Sequence, residues 1–561
     1  MATPEPPVLA PRYYRDNFQH LCDTVETLYG DLLQPEEHAW LAQWRAASEP
    51  AQCLYVRLVS RVGPWFRVNR LDYPEIGAVE APLAELHALD LLLLPQEASE
   101  ESLQVQDLDR LFTLPEWRRA FRDRLTAAAQ RSKAQWVAAV EGLAEPVANV
   151  LQALCAATSE RLVAPLGVDT VGLFQLLFFG NRRQTLTDFV LSDLGINRYY
   201  PYVLTRAQRR FPCREAVDEY RQLGELADRH WLLEQAGEAE DFTALAEALL
   251  DTPPRHATSE RRYWLLCNRL GRNLERSGDW TLAGRLYQRS QLHPARERHL
   301  RVLEQRGCWQ EAQDACTELL QSPWCEEERD AARRILPRLQ RQLGLPPTPR
   351  RRRAVPVLDL ALPQTETRVE IAVAEHLADG EWDSVHYVEN SLFNSLFGLA
   401  FWEQIFAPVP GAFHNPFQAV PADMYQAGFR SRREVALARR LRELATGDLA
   451  AELQAALQRY AGYQCRWVSW PLLHADFLAR VTACIPREHL LAVWERILFD
   501  PGENRRGFPD LIALGEGPGA YCLVEVKGPG DQLQHSQRRW LQFFGDQGIP
   551  AKVARVVWTD G

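Results

Sequence analysis

The stretch Gly507-Phe-Pro509-Asp510-Leu-Ile-Ala-Leu514, a Gly/Pro-rich turn over 515–519, and Ala520-Tyr-Cys-Leu-Val-Glu525-Val-Lys527-Gly528 decide how the C-terminal part of this sequence is read. Two apolar runs joined by a short turn predict a hairpin. Side chains alternate faces along a strand, so Glu525 and Lys527 share one face while Val524 and Val526 point into the core. The turn returns Asp510 beside Glu525. Two carboxylates, the Val526 carbonyl and one ammonium then converge on one edge. Such an oxygen-rich edge suits Mg²⁺, which takes one or two carboxylates and completes an octahedron with water and phosphate oxygens. Lys527 adds a compact cation able to orient and help deprotonate a water. Only three of the 64 basic residues are lysines, Lys133, Lys527 and Lys552, so a lysine at this point stands out. The pattern P-D, fourteen residues, E-x-K is loose, and a surface hairpin carrying an ion pair matches it equally.

Working outward, a helix from about His535 to Asp546 turns Trp540, Leu541 and Phe544 inward and offers the Gln537 amide to the site. A strand from Lys552 to Trp558 follows. Strand, turn, strand, helix, strand is an α/β unit of nuclease size. A third acid is expected from a preceding helix. The candidate is Glu389, just before the apolar face of Leu392, Phe393, Leu396, Phe397 and Ala400. A carboxylate beside such a face is costly unless paired or bound to metal. The alternative is a solvated first-turn glutamate favoured by the helix dipole.

Upstream the pattern is helical. Tyr14, Phe18, Leu21, Val25 and Leu28 recur at helical spacing, and residues 12–45 read as helices. Leu54-Tyr-Val-Arg-Leu-Val-Ser60, the Gly63-Pro64 turn and Trp65-Phe-Arg-Val68 predict a short hairpin carrying Arg57, Arg61, Arg67 and Arg70. Helices resume over 103–145 and continue to Asp251-Thr-Pro-Pro254. A repeat follows: Gly278-Asp-Trp280-x-x-Ala283 recurs as Gly307-Cys-Trp309-x-x-Ala312, with Asp241-Phe242-x-x-Leu245 as a degenerate copy. A Gly turn, an aromatic and a small residue at fixed offsets suit stacked helix pairs of tetratricopeptide type. Leu345-Pro-Pro-Thr-Pro-Arg-Arg-Arg-Arg353 reads as a linker, with the arginine run either a solvated connector or a phosphate contact.

At 561 residues the chain calls for three to four domains of about 150 residues each. With 46% apolar and 25% charged residues it is neither disordered nor fibrous. No apolar run approaches the ~18 residues of a membrane span, and no secretory signal opens the sequence, so a soluble intracellular protein is expected. Eleven scattered cysteines without a C-x-x-C pair suit a reducing compartment and offer no zinc-finger spacing. The net charge of −10 argues against nucleic acid, but residues 253–354 hold 21 Arg and no Lys against 12 acids, a basic middle able to face phosphates.

The segments Val524-Glu-Val-Lys-Gly-Pro-Gly-Asp531 and Gln534-His-Ser-Gln-Arg-Arg-Trp-Leu541 resemble the VRR-NUC domain of the PD-(D/E)xK superfamily. Together with Glu389-Asn-Ser-Leu-Phe-Asn-Ser-Leu-Phe-Gly-Leu399, Phe429-Arg-Ser-Arg-Arg433, Leu54-Tyr-Val-Arg-Leu-Val-Ser-Arg61 and Arg70-Leu-Asp-Tyr-Pro-Glu-Ile76, they resemble the Fanconi-associated nuclease family over nearly the whole chain. The resemblance implies a multidomain, predominantly α protein: an N-terminal DNA-binding domain (1–100), a SAP-like helical region (101–250), tetratricopeptide-like repeats (251–346), an Arg/Pro linker (347–355) and a restriction-endonuclease-like α/β domain (356–561, VRR-NUC core about 445–558). It implies a structure-specific DNA nuclease, a 5′-flap endonuclease and 5′→3′ exonuclease working with Mg²⁺ or Mn²⁺ on branched or 5′-flap DNA, interstrand crosslink repair included. It places metal-binding acids at Glu389, Asp510 and Glu525, the Val526 carbonyl in the metal shell, and the catalytic lysine at Lys527. The ubiquitin-binding zinc finger of animal members has no counterpart in the Cys/His spacing. A four-way-junction resolvase and a non-catalytic helical-repeat repair scaffold are the competing readings.

Overall fold

Amphipathic spacing in the first sixty residues produces three helices, Tyr13–Tyr29, Pro35–Ala46 and Glu49–Val59. The computed structural model describes residues 10–97, 105–125, 132–181, 184, 198–236, 241–346, 354–364, 366–380 and 382–559. Most of the expected Arg/Pro linker, residues 347–353, lies outside them. The chain divides into two compact units, Met1–Asn197 and Arg198–Gly561.

In the first unit the hairpin expected over 54–68 is not formed. Residues 54–59 belong to the third helix, which Glu49 and Pro50 open after Ser48 and which buries Ala51, Cys53, Leu54, Tyr55 and Leu58. Burial on nearly every side overrides the strand preference of Val and Tyr. The Tyr55 hydroxyl donates to the Leu166 carbonyl at 2.6 Å and locks the helix in place. The strand character survives only in β1 (Phe66–Arg67), which joins β2 (Leu92–Leu93) through β3 (Leu162–Pro165), both pairings antiparallel. Arg67 is buried there between Glu116 and Glu160, each 2.8 Å away.

In the second unit the repeat is a stack of helices, among them Ala257–Ser277, Trp280–Arg289, Ala295–Gln305, Trp309–Gln321 and Glu326–Gln342. Gly278 and Gly307 hold the left-handed turns before the two tryptophans, with φ of +89° and +73°. Ala283 and Ala312 are fully buried, where a small residue allows close helix packing.

The C-terminal sheet has five strands: β4 (Val357–Pro363), β5 (Ser384–Tyr387), β6 (Leu511–Leu514), β7 (Tyr521–Lys527) and β8 (Ala551–Thr559), in the order β4-β8-β7-β6-β5. The helix His535–Gln547 makes the crossover between the parallel strands β7 and β8. One sheet face, with Val524 and Val526, packs on the helix Val369–Ala378. The opposite face, with Ile512, Leu514, Tyr521 and Leu523, packs on Leu392–Ala400, Arg487–Phe499 and the crossover helix. The period-2 pattern of the sequence thus becomes a sheet covered on both sides.

Candidate active site

Leu511 pairs with Val524 across the antiparallel ladder of β6 and β7, which sets Asp510 and Glu525 opposite each other at its end. Directly opposed residues share a face, so both acids point to the side covered by the Leu392–Ala400 helix. Beyond Leu511 the ladder stops, and the Val526 N–H donates instead to Asp510 Oδ2 at 2.8 Å. A residue's N–H and C=O leave a strand on the same edge, so the Val526 carbonyl also faces this corner.

Glu525 is 0% exposed, and among the described residues no donor other than the Lys527 ammonium meets its carboxylate. Its one partner is the Lys527 ammonium, 2.7 Å from Oε1 and itself only 14% exposed. Burial, then repulsion from Asp510, pushes the Glu525 pKa up to about 7 against the pull of Lys527. Burial pushes Asp510 up to about 6, against the Val526 N–H and Lys527, with Glu370 and Glu389 adding repulsion. A half-buried and a wholly buried carboxylate side by side, both raised in this way, form a site that a divalent cation would stabilise.

Glu389 lies in the turn after β5 rather than in a helix, with φ of +30°. The Asp510 carbonyl accepts from the Val388 and Glu389 N–H groups at 2.8 and 3.0 Å, which fixes this uncommon conformation. Tyr387 Oη and Asn390 Nδ2 hold the Glu389 carboxylate at 2.6 and 3.0 Å. Among the described residues Glu389, Asp510 and Glu525 do not close to a mutual spacing of 4.8 Å. Three like charges without a cation between them repel. The Gln537 side chain does not turn its oxygen to the acids: Oε1 accepts from the Gln534 N–H at 2.8 Å and caps its own helix. Glu370 was not visible in the sequence pattern. It sits in the first turn of Val369–Ala378, a lone acid opening an apolar helix, and its charge bears on Asp510 and Tyr387.

The loop before Asp510 is pinned. Gly507 has φ of +85°, and a Cβ there would lie 2.7 Å from Ser536. Asn390 Oδ1 accepts from the Gly507 N–H at 2.8 Å, and Phe508 stacks on Trp540 at 4.2 Å. Only glycine permits this approach to the crossover helix.

Comparison with known proteins sets this geometry in a family. The VRR-NUC domain profile matches residues 445–558, and the profile of the FAN1 HTH domain matches residues 12–93. The Fanconi-associated nuclease 1 homolog of Pseudomonas aeruginosa is 36% identical over 99% of this chain and 97% of its own. The chain belongs to the Fanconi-associated nuclease 1 family. The Arabidopsis thaliana homolog of this nuclease is 24% identical over 97% of the chain and 67% of its own. The crystal structure of paFAN1 bound to 2nt 5′-flap DNA with a gap, 35% identical, superposes with a TM-score of 0.79 and covers 100% of both chains. The paFAN1 complex with a 1nt 5′ flap gives 0.78 and covers 98% of this chain.

As a member of the Fanconi-associated nuclease 1 family the chain is a structure-specific DNA nuclease of DNA repair, and its VRR-NUC domain implies dependence on a divalent metal. Among the described residues no helix is long and apolar enough to cross a membrane. The basic middle is partly committed inside this nuclease: Arg296 pairs with Glu328, Arg338 with Glu304, and Arg298 with Glu275.

Proposed function

We propose that the chain hydrolyses phosphodiesters of branched and 5′-flap DNA at the corner formed by Asp510, Glu525 and Lys527, as a 5′-flap endonuclease and 5′→3′ exonuclease in DNA repair, interstrand crosslink repair included. The observation that carries this reading is the wholly buried Glu525 carboxylate, opposite Asp510 and met among the described residues by the Lys527 ammonium alone. Asp510, Glu525, Glu389 and the Val526 carbonyl would hold Mg²⁺ or Mn²⁺, an all-oxygen set that suits a hard cation. Such an ion would supply positive charge beside the phosphate and lower the pKa of a water.

The protein's own groups do the rest. The Val526 N–H fixes the Asp510 carboxylate, while Tyr387 and Asn390 aim that of Glu389. Lys527, anchored on Glu525, presents an ammonium to the attacking water and to the charge growing on the phosphate. Regions 1–100 and 101–250 bind the DNA, arginines of the 251–346 repeats contact phosphates, and 356–561 cuts. Phosphate contacts position the duplex without reading sequence, so selectivity comes from the shape and flexibility of a branch point.

The direct test is Asp510→Ala with an end-labelled 5′-flap duplex in Mg²⁺. Cleavage is lost while the duplex is still bound; cutting at the wild-type rate would remove Asp510 from the mechanism.

A further inference from the structure

Far along the sequence from the nuclease acids, the helical repeats bring a second set of ligand-type side chains together. His293, Cys325 and Glu327 each place one ligand atom so that all three lie within 4.8 Å of one another, the one group of three or more His, Cys, Asp or Glu among the described residues to do so. His293 Nε2 lies 3.1 Å from Glu327 Oε2. Among the described residues His293 Nδ1 is buried without a hydrogen bond of good geometry, Cys325 forms no disulfide, and both the Cys325 thiol and the Glu327 carboxylate act on the His293 ring.

We propose that His293, Cys325 and Glu327 form a binding site for a borderline divalent transition metal of the Zn²⁺ class, independent of the nuclease centre. The donor set makes the choice. A thiolate, an imidazole nitrogen and one carboxylate oxygen suit Zn²⁺ and its neighbours, whereas Mg²⁺ and Ca²⁺ require oxygen alone. Three protein ligands leave a fourth tetrahedral position for water. Access is open from solvent, since the Glu327 side chain is 55% and that of His293 21% exposed. Binding displaces the thiol proton and leaves the imidazole neutral at the ligating nitrogen, so the bonds formed to the ion replace bonds to protons.

The segments carrying the ligands are already held in place. Asn268 Nδ2 donates to the carbonyl of Leu292 at 3.0 Å, just before His293. Cys325 is the residue before the helix Glu326–Gln342 and has extended backbone. The acids on either side of Glu327 are bound elsewhere. Glu328 accepts from Arg296 Nε at 2.9 Å, and Glu326 accepts from Asn504 Nδ2 at 3.2 Å. Glu327 is thereby left facing His293. An ion at this point ties the start of the Ala295–Gln305 helix to the start of Glu326–Gln342. The second of these helices also touches the loop leading to Gly507, because the Glu326 N–H donates to Asp500 Oδ2 at 3.0 Å. The site is therefore a clamp within the repeats, next to the segment that delivers Asp510.

The test titrates the full-length, chelator-stripped protein with Co²⁺ and then displaces it with Zn²⁺. Wild type and Asp510→Ala should both develop a thiolate-to-cobalt charge-transfer absorption saturating at about one ion per chain. Zinc should then raise the melting temperature of both. Cys325→Ser should lose the absorption, and the conservative variants His293→Gln and Glu327→Gln should weaken binding at least about tenfold. Circular dichroism of the metal-free variants reports whether each is folded, and the exposed Glu327 keeps the test valid if a buried position does not tolerate exchange. No charge-transfer absorption in the wild type, or an absorption that survives in Cys325→Ser, overturns the proposal. So does zinc binding unaffected in Glu327→Gln together with His293→Gln.

Discussion

Two fully buried glutamates of this protein live in opposite surroundings. Glu328, at the start of the last repeat helix, accepts from Arg296 Nε and Nη2 at 2.9 and 2.6 Å and from the Trp324 N–H at 2.6 Å. Glu525, in the central strand β7, shares its corner with Asp510 and has, among the described residues, only the Lys527 ammonium as a donor, on one of its two oxygens. Most other buried acids resemble Glu328: Glu160 is matched by Arg67, Asp423 by Arg433, and Glu326 by Arg496. The guanidinium fork satisfies a carboxylate with two donors at once, which a lysine does not do. Where this arginine-rich chain uses lysine beside a buried acid, oxygen lone pairs are left over for something that is not protein. Glu328 is satisfied by guanidinium and backbone donors, whereas Glu525 has a single ammonium beside a second acid.

Three measurements on two substitutions break or sharpen that contrast. Glu525→Gln, nearly isosteric, should lower cleavage of a 5′-flap duplex by at least about 10²–10³-fold, read from single-turnover rates in saturating Mg²⁺ or Mn²⁺. If cutting persists, Glu525 belongs with Glu328. Glu328→Gln should do the reverse. It leaves the half-buried Arg296 against a neutral partner, costs about 1–3 kcal/mol of stability in denaturant unfolding, and spares the cutting rate of the folded enzyme. The third concerns pH and uses protein freed of metal. Burial raises both acids above their unfolded values, Asp510 to about 6 with added repulsion from Glu370 and Glu389, and Glu525 to about 7 with added repulsion from Asp510. The folded state therefore holds more protons than the unfolded one between about pH 4 and 7. Stability falls as pH rises through that window, and the penalty is complete above it. Glu525→Gln should accordingly raise metal-free stability at about pH 8 by about 1–3 kcal/mol, with the gain fading towards about pH 4. Thermal melts across that range check the sign, and a variant less stable than wild type at high pH would contradict it.

Legibility followed the range of the interactions. The β6–β7 hairpin, the crossover helix and β8 were readable because alternation and turn residues act over a few positions. The same reasoning read 54–68 as a hairpin, because Tyr, Val and Leu in a short run suit either a strand or a buried helix. What decided between them was burial around the whole of Glu49–Val59. The acids were legible as residue types, but their placement was only partly so. Glu389 turned out to be held in a left-handed turn by the distant Asp510 carbonyl, and Gln537 caps its own helix. Glu370 escaped notice because one acid in a first turn is ordinary until a fold sets it near two others.

The sequence by itself determined which side chains face together along β7, since period 2 is a property of the extended backbone. It also determined the helical repeats with their glycine turns, and the scarcity of lysine that makes Lys527 conspicuous. Only the tertiary structure decided which buried acids have arginine partners and which do not, and that His293 meets Cys325 and Glu327. Charge matching depends on atoms brought within a few ångströms from distant points in the chain, and no local pattern encodes such distances.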